Sequence, residues 1–375
     1  MGAGAAQPQT GIAYSPAIDG LRALAVLSVL YGHMVTPVPG FSNAGVRLFF
    51  CISGYLITHI LLSARERGGS LPAILKAFYA RRILRIWPAY YAALLAAMLV
   101  GAQGVRETAL WHLVFATNFQ LAMFGVWEPE AVGHLWTLAV EEQFYLVWPL
   151  LILLLPRWAI GWAIASLPLL CMAYMASLTP AEIFQEPGPM ILLPAQFDVL
   201  GAGALLAFAE RHGRMSAWWL VPVCIVGIAL SPLTIGLDWG WPLVGILIDA
   251  VGVAVIQPLS AAFYVAVLLF ARHAPFGLAE RLLGNRLLVW VGRRSYGIYL
   301  YHIYLLLACI WLTGHGRGWI VLLVVGGASI ALAALSWRWL EQPMLRLKAR
   351  VPYPQGTERP ELRSHPETEA LGQPR

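Results

Sequence analysis

The first apolar run of the chain, AIDGLRALAVLSVLYGHM at 17–34, carries Arg22 near its start and His33 near its end. An arginine at the centre of an apolar membrane helix costs roughly 2.5–3.5 kcal/mol on insertion scales unless it faces a partner or a wet cavity. His33 follows Arg22 by eleven positions. At about 100° per residue, eleven steps return within roughly 20° of the starting face. Both groups therefore look the same way, about 16 Å apart along the axis. Such a stripe lines a cavity rather than facing lipid, and its histidine is suited to accept and return a proton near neutral pH. A histidine at a helix end also serves as an ordinary interfacial residue, and this run alone leaves both readings open.

Four further runs carry groups of the same kind. In HLWTLAVEEQFY at 134–145, Glu141 and Glu142 are adjacent and so point about 100° apart, which denies them a shared role. A carboxylate in an apolar site acts as a base or orients a histidine, or else ties helices together in a polar knot. In FYARRILRIWPAYY at 78–91, Arg82 and Arg85 lie three apart on one helix face. That spacing suits bidentate grip on phosphates, and equally suits anchoring at a membrane surface. In FFCISGY at 49–55, Gly54 permits close helix approach and Ser53 can bond across it. In SYGIYLYH at 295–302, Ser295, Tyr299 and His302 share a helical face that either lines the same cavity or knits helices together. Asp198 and Asp249 are single acids in apolar surroundings with no partner visible in the sequence.

The elements that would carry these groups are membrane helices. The chain has 375 residues, 59% hydrophobic and only 12% charged, with a mean hydropathy of +0.69. A soluble domain carries about 25% charged residues. The expected fold is all-α and polytopic, with about ten transmembrane helices around a polar cavity. The expected spans are 17–36, 44–62, 86–101 (entered through a basic amphipathic stretch at 72–85), 135–155, 158–178, 191–209, 217–236, 242–271, 295–313 and 318–340. Residues 109–127 read as either a span or a re-entrant piece, and 242–271, interrupted at Gln257-Pro258, as one kinked helix or two short ones. Taking the first as non-spanning and the second as one span leaves Arg47, Arg106 and Arg317 alone on the outer face. Both termini then lie in the cytoplasm, as the excess of basic residues in cytoplasmic loops requires.

On this map residues 1–16 are a cytoplasmic segment with no basic leader region, 17–345 the membrane domain, and 346–375 a disordered cytoplasmic tail, polar and Pro-rich. Many of the 16 tryptophans fall near helix ends, as interfacial belts do. Cys51, Cys171, Cys224 and Cys309 are scattered through apolar runs and read as small buried hydrophobes, not as a disulfide or metal framework. The net charge of +6 follows from basic loops and calls for no nucleic-acid partner.

Together the five runs resemble the acyltransferase-3 family of integral membrane acyltransferases. The matching stretches are IDGLRALAVLSVLYGH, VRLFFCISGYLIT, FYARRILRIWPAYY, HLWTLAVEEQFYLVWP and SYGIYLYHI, in the family's order from residue 17 to about 304. Thr137 stands where Ser is usual and Tyr301 where Trp is common, and neither is a proposed catalytic group. The resemblance implies transfer of an acyl group, usually acetyl from acetyl-CoA, to a hydroxyl of a glycan or other cell-surface or exported carbohydrate. The family's Arg and His carry over to Arg22 and His33, its Arg-x-x-Arg to Arg82 and Arg85, and its acidic motif to Glu142, with Glu141 beside it.

On this reading His33 is catalytic with support from Glu142. Arg22, Arg82 and Arg85 hold the donor, and Ser53, Glu141, Tyr145, Ser295, Tyr299 and His302 line the cavity. Counting along the helices places His33 and Glu142 in the same half of the membrane, within reach of one another. The implied donor is acyl-CoA, a substrate and not a resident cofactor. The implied partners are a glycan or lipid-linked sugar and the bilayer, and the implied location is a bacterial inner membrane. The resemblance implies a stand-alone member, with no SGNH-type hydrolase domain in the short tail. The rival reading is a proton-coupled transporter or glycan exporter, which also buries Arg, His and Glu; the lack of repeat halves in the sequence speaks against it.

Overall fold

A computed structural model describes residues 15–36, 40–183, 185–213, 250–273 and 277–354, with isolated positions at 222 and 225–226. Every regular element among the described residues is helical. The expected span at 217–236, together with Cys224, Asp249 and the segments 1–14 and 355–375, lies outside them apart from those isolated positions. Among the described residues, six helices are long and apolar enough to cross a membrane: Gly40–Glu66, Glu130–Leu154, Arg157–Ala176, Val255–His273, Ser295–Thr313 and Trp319–Lys348. The chain is a polytopic membrane protein.

Helix α1 (Pro16–Met34) opens on a proline, which suits the first turn because its missing N–H would be unpaired there anyway. It packs against α2 (Gly40–Glu66), α11 (Ala250–His273), α12 (Leu278–Leu283), α13 (Arg286–Arg293) and α14 (Ser295–Thr313), so the helix bearing Arg22 and His33 is the central strut. Helix α2 in turn lies against α10 (Phe197–Arg211). A Cβ at Gly54 would strike the Leu200 carbonyl, and one at Gly203 would strike the Cys51 carbonyl. The two backbones thus approach as closely as small residues permit, where helices in lipid gain most from packing.

Helix α3 (Leu71–Leu99) is one continuous helix that takes in both the amphipathic stretch at 72–85 and the span it was expected to lead into at 86–101. Pro88 lies inside it; a membrane helix accommodates that break because neighbours re-satisfy the freed backbone group. The segment 109–127 breaks into α4 (Ala109–Leu113) and α5 (Thr117–Phe124). Eight residues of helix reach about 12 Å, well short of the roughly 30 Å hydrocarbon core. Its irregular backbone is satisfied by protein: Tyr90 donates to the His112 carbonyl (2.7 Å), Tyr91 to Leu113 (2.9 Å) and Gln143 to Phe115 (3.0 Å).

Helices α6 (Glu130–Gly133), α7 (Trp136–Leu154), α8 (Arg157–Ala176) and α9 (Pro180–Ile183) follow. Helix α10 starts later than the expected 191, because two short 3-10 turns, Pro189–Ile191 and Leu193–Gln196, precede it. The last helix, α15 (Trp319–Lys348), includes two π-helical stretches, Leu322–Gly326 and Trp337–Glu341. The chain stays packed beyond it. Arg81 donates to the carbonyls of Lys348 (3.2 Å) and Val351 (2.9 Å), and its guanidinium lies 5.2 Å from the centre of the buried Tyr353 ring.

Candidate active site

Two cavities run into the bundle. The first, about 330 Å³, opens beside the N-terminal end of α1. Its cationic wall is Arg22 of α1, Arg82 and Arg85 of α3 and Lys348 at the end of α15, with Asp19 and Glu141 as its acids. Glu141 accepts from Ser53 Oγ at 2.6 Å, and the Tyr145 hydroxyl donates to Ser53 at 3.3 Å. Arg82 lies 5.6 Å from the ring centres of both Phe78 and Tyr145, a contact worth most where water is scarce. Its Nε and the Ser295 hydroxyl are buried without protein partners. The α2 side of the wall is mainly apolar, with Ile52, Leu56, Ile57 and Ile60. Cations beside an apolar wall suit a ligand with an anionic head and an apolar body.

The second cavity, about 620 Å³, lies at the other end of α1. His33 lines it, with Trp127 and Trp136, the carboxylates Glu130 and Glu186, the amides of Asn43, Gln196 and Gln257, and Arg47 and Arg317. Flat aromatic faces among amides and carboxylates are the lining a polyhydroxylated ligand needs, since a few placed polar groups fix orientation while apolar surface supplies contact. Val46 and Tyr299 line both cavities, so the two meet at that pair. Tyr299 is held there: it accepts from Thr137 Oγ1 (2.7 Å) and donates to the His134 carbonyl (2.8 Å).

Three imidazoles cluster at this junction. His33 Nδ1 lies 2.9 Å from His302 Nε2, and His302 Nδ1 lies 2.5 Å from the Tyr299 carbonyl. The His33 and His302 ring centres are 5.0 Å apart with planes only 15° from parallel. That separation nearly equals the N···N distance plus the two ring radii, so the rings meet edge to edge, as an in-plane N–H···N bond requires, and do not stack face to face. His134 stands 5.3 Å from His302, edge to face, and its Nε2 donates to the Leu300 carbonyl at 3.1 Å.

Comparison with known proteins fits this geometry. The family model described as "Acyltransferase domain", of the acyltransferase-3 type, matches residues 15–338. The chain belongs to the acyltransferase-3 family. A peptidoglycan O-acetyltransferase of Listeria monocytogenes, OatA, is 30% identical over 365 residues, covering 88% of this chain and 56% of its own length. A candidate peptidoglycan O-acetyltransferase of Bacillus subtilis, YrhL, is 30% identical over 372 residues, with 88% and 55% covered. A candidate O-acetyltransferase of Staphylococcus aureus is 25% identical over 370 residues, with 88% and 57% covered. The chain thus spans little more than half the length of these curated relatives. No solved structure matches it significantly.

Most of the residues that the acyltransferase-3 resemblance picks out converge on the two cavities. Arg22, Arg82, Arg85, Ser53, Glu141, Tyr145 and Ser295 line the first, His33 the second, and Tyr299 both. His302 is fully buried behind His33 and lines neither. Glu142 is not brought to His33. It accepts from Trp87 Nε1 at 3.3 Å, its other oxygen is buried without a partner, and it lines neither cavity. The roughly 100° between neighbouring helical residues sends Glu141 inward and Glu142 toward α3.

Three groups escaped the sequence. Arg47, expected on the outer face, is buried and donates to Asp198 at 2.6 Å, with Ser260 Oγ at 3.4 Å and the Gln257 carbonyl at 3.3 Å. A lone arginine inside the run GVRLFFCISGYL was the available signal, because such a group needs a partner. Lys348 lines the first cavity although the tail was expected to start at 346; the run QPMLRLK continuing the last helix was its signal. His134 sits in a quoted motif, yet nothing in the sequence brings it beside His302.

Proposed function

We propose that this protein transfers an acetyl group from cytosolic acetyl-CoA to a hydroxyl of a bacterial cell-surface glycan, with peptidoglycan the acceptor that the names of its relatives suggest. One observation carries the reading: a cationic cavity and a histidine-bearing cavity meet at Tyr299 and Val46. Coenzyme A is anionic and enters from the cytosol, so the cavity with Arg22, Arg82, Arg85 and Lys348 is its site and faces inward. The glycan enters the other cavity from outside. Arg82 and Arg85 grip phosphate, and Arg22, three turns below His33, holds the pantetheine end.

At the junction the acceptor hydroxyl gives its proton to His33 while its oxygen attacks the thioester carbonyl. The new C–O bond forms, the C–S bond breaks, and the thiolate leaves with a proton returned by His33. A second route takes the acetyl group onto His33 first and then passes it to the hydroxyl; direct transfer needs fewer steps and is preferred. His33→Ala, with the protein still inserted, is expected to abolish glycan O-acetylation measured by mass spectrometry of cell-wall material. Full acetylation in that variant overturns the mechanism. Labelled acetyl-CoA without acceptor separates the routes, since only the covalent one leaves label on His33. Replacing Arg82 and Arg85 together by Ala should weaken acetyl-CoA binding to the detergent-purified protein at least tenfold, and unchanged binding removes them from the donor site.

A further inference from the structure

We infer that His302 is a positioning residue that holds His33 in one tautomer, with Nδ1 protonated and Nε2 bare. This rests on the reading of His33 as the proton acceptor and adds what makes it one. The deduction starts at the Tyr299 carbonyl. A carbonyl oxygen only accepts, so His302 Nδ1, 2.5 Å away, carries its proton. His302 is fully buried and has no carboxylate among its hydrogen-bond partners to balance a positive ring, so the site holds it neutral. A neutral ring protonated on Nδ1 has a lone pair on Nε2. The contact between His302 Nε2 and His33 Nδ1 at 2.9 Å must then be donated by His33. His33 is left with its second nitrogen, Nε2, unprotonated and without a hydrogen-bond partner among the described residues, in a ring that lines the acceptor cavity.

The near-coplanar, edge-to-edge placement of the rings aligns that N–H with the receiving lone pair. His302 thus does for His33 what a carboxylate commonly does for a catalytic histidine, fixing tautomer and orientation from behind. It does so without a charge that this buried position would have to solvate. His302 is positioned in turn by its own helix, since Tyr299 lies three residues earlier in α14. Glu142, the expected supporter, touches neither ring.

The test combines tautomer and activity. In protein labelled with nitrogen-15 histidine and reconstituted in bilayers, solid-state NMR should show His33 bare at Nε2 and protonated at Nδ1, assigned by loss of its signals in His33→Ala. A His33 signal protonated at Nε2 overturns the inference whatever the activity. O-acetyl content of cell-wall glycan, read as acetate released by mild base from a strain carrying only the variant, supplies the second arm. His302→Leu should lose on the order of a hundredfold or more of transfer, within the range that a misplaced general base forfeits. His302→Gln, whose side-chain oxygen can accept from His33 Nδ1–H, should recover a tenth or more of wild-type acetate, which a purely space-filling role does not predict. Wild-type acetate in His302→Leu alongside an inactive His33→Ala overturns this inference and leaves the proposed function standing. Wild-type acetate in His33→Ala overturns the proposed function itself.

Discussion

Arg47 and Asp198 stand 151 positions apart in the chain yet form a buried ion pair, with side chains 6% and 0% exposed. Neither residue announced the other, because pairing between helices depends on rotation and register that no local spacing encodes. The same limit hid the bond between His33 and His302, 269 positions apart. Spacing within one helix was legible in part: Arg22 and His33 each reach a cavity, but two cavities and not the single one the stripe suggested. The choice between Glu141 and Glu142 was not, because adjacency shows that they diverge but not which one turns inward. The ion pair yields a prediction. Asp198→Ala removes the carboxylate 2.6 Å from the buried Arg47 guanidinium, and should cost about 3–5 kcal/mol. Replacing both partners by apolar residues, Arg47→Met with Asp198→Leu, should restore most of that stability, since it removes the charge and the need to solvate it together. Thermal unfolding in detergent measures both, and a double variant as unstable as the single one would show that the pair does more than balance charge.

At the level of elements, the long apolar runs were read within a few residues for α1, α7, α8 and α14, because a membrane helix must satisfy its own backbone and announces itself by length and hydropathy. Errors arose where proline and basic residues interrupt the pattern. In α3 the basic stretch looked like a surface segment, but Arg82 and Arg85 have a cavity to face, so the helix continues through them. At the end of α15 the polar residues looked like the start of a loose tail, but Arg81 clasps the backbone of Lys348 and Val351. Burial also pushes the Tyr353 hydroxyl above its ordinary value, so this ring stays uncharged against Arg81. The clasp positions Lys348 as the fourth cation of the first cavity, the proposed donor site. Lys348→Ala should therefore weaken acetyl-CoA binding several-fold without lowering the unfolding temperature, as measured by isothermal titration and thermal scanning on the same preparation. Arg81→Ala, which lines no part of that cavity, should weaken binding too and should expose the 348–354 segment to limited proteolysis. Normal donor binding in Arg81→Ala would mean that the clasp is only a tether.

The whole molecule sets the two cavities end to end along α1, and that arrangement carries a statement about sidedness. Arg82, Arg85 and Lys348 gather at one end, while Glu186 and Arg317 join His33 at the other. Basic residues concentrate on the cytoplasmic side of membrane proteins, and the proposed donor is cytosolic, so we propose that the first cavity faces inward. Loop charges in the sequence argue for the same orientation, though nothing in the sequence shows that Glu186 and Arg317 border one cavity. Glu186, Arg317 and Arg350 are all exposed, so each can carry a single cysteine in a background lacking the native four, without burying a new group. A membrane-impermeant maleimide added to intact cells should label Glu186→Cys and Arg317→Cys, and should reach Arg350→Cys only after the membrane is permeabilised. Labelling at 186 and 317 must agree, because both line the same space. Disagreement would break the second cavity as drawn, whereas inversion of all three would put the cationic mouth outside, away from any coenzyme A, and would remove the donor assignment with it.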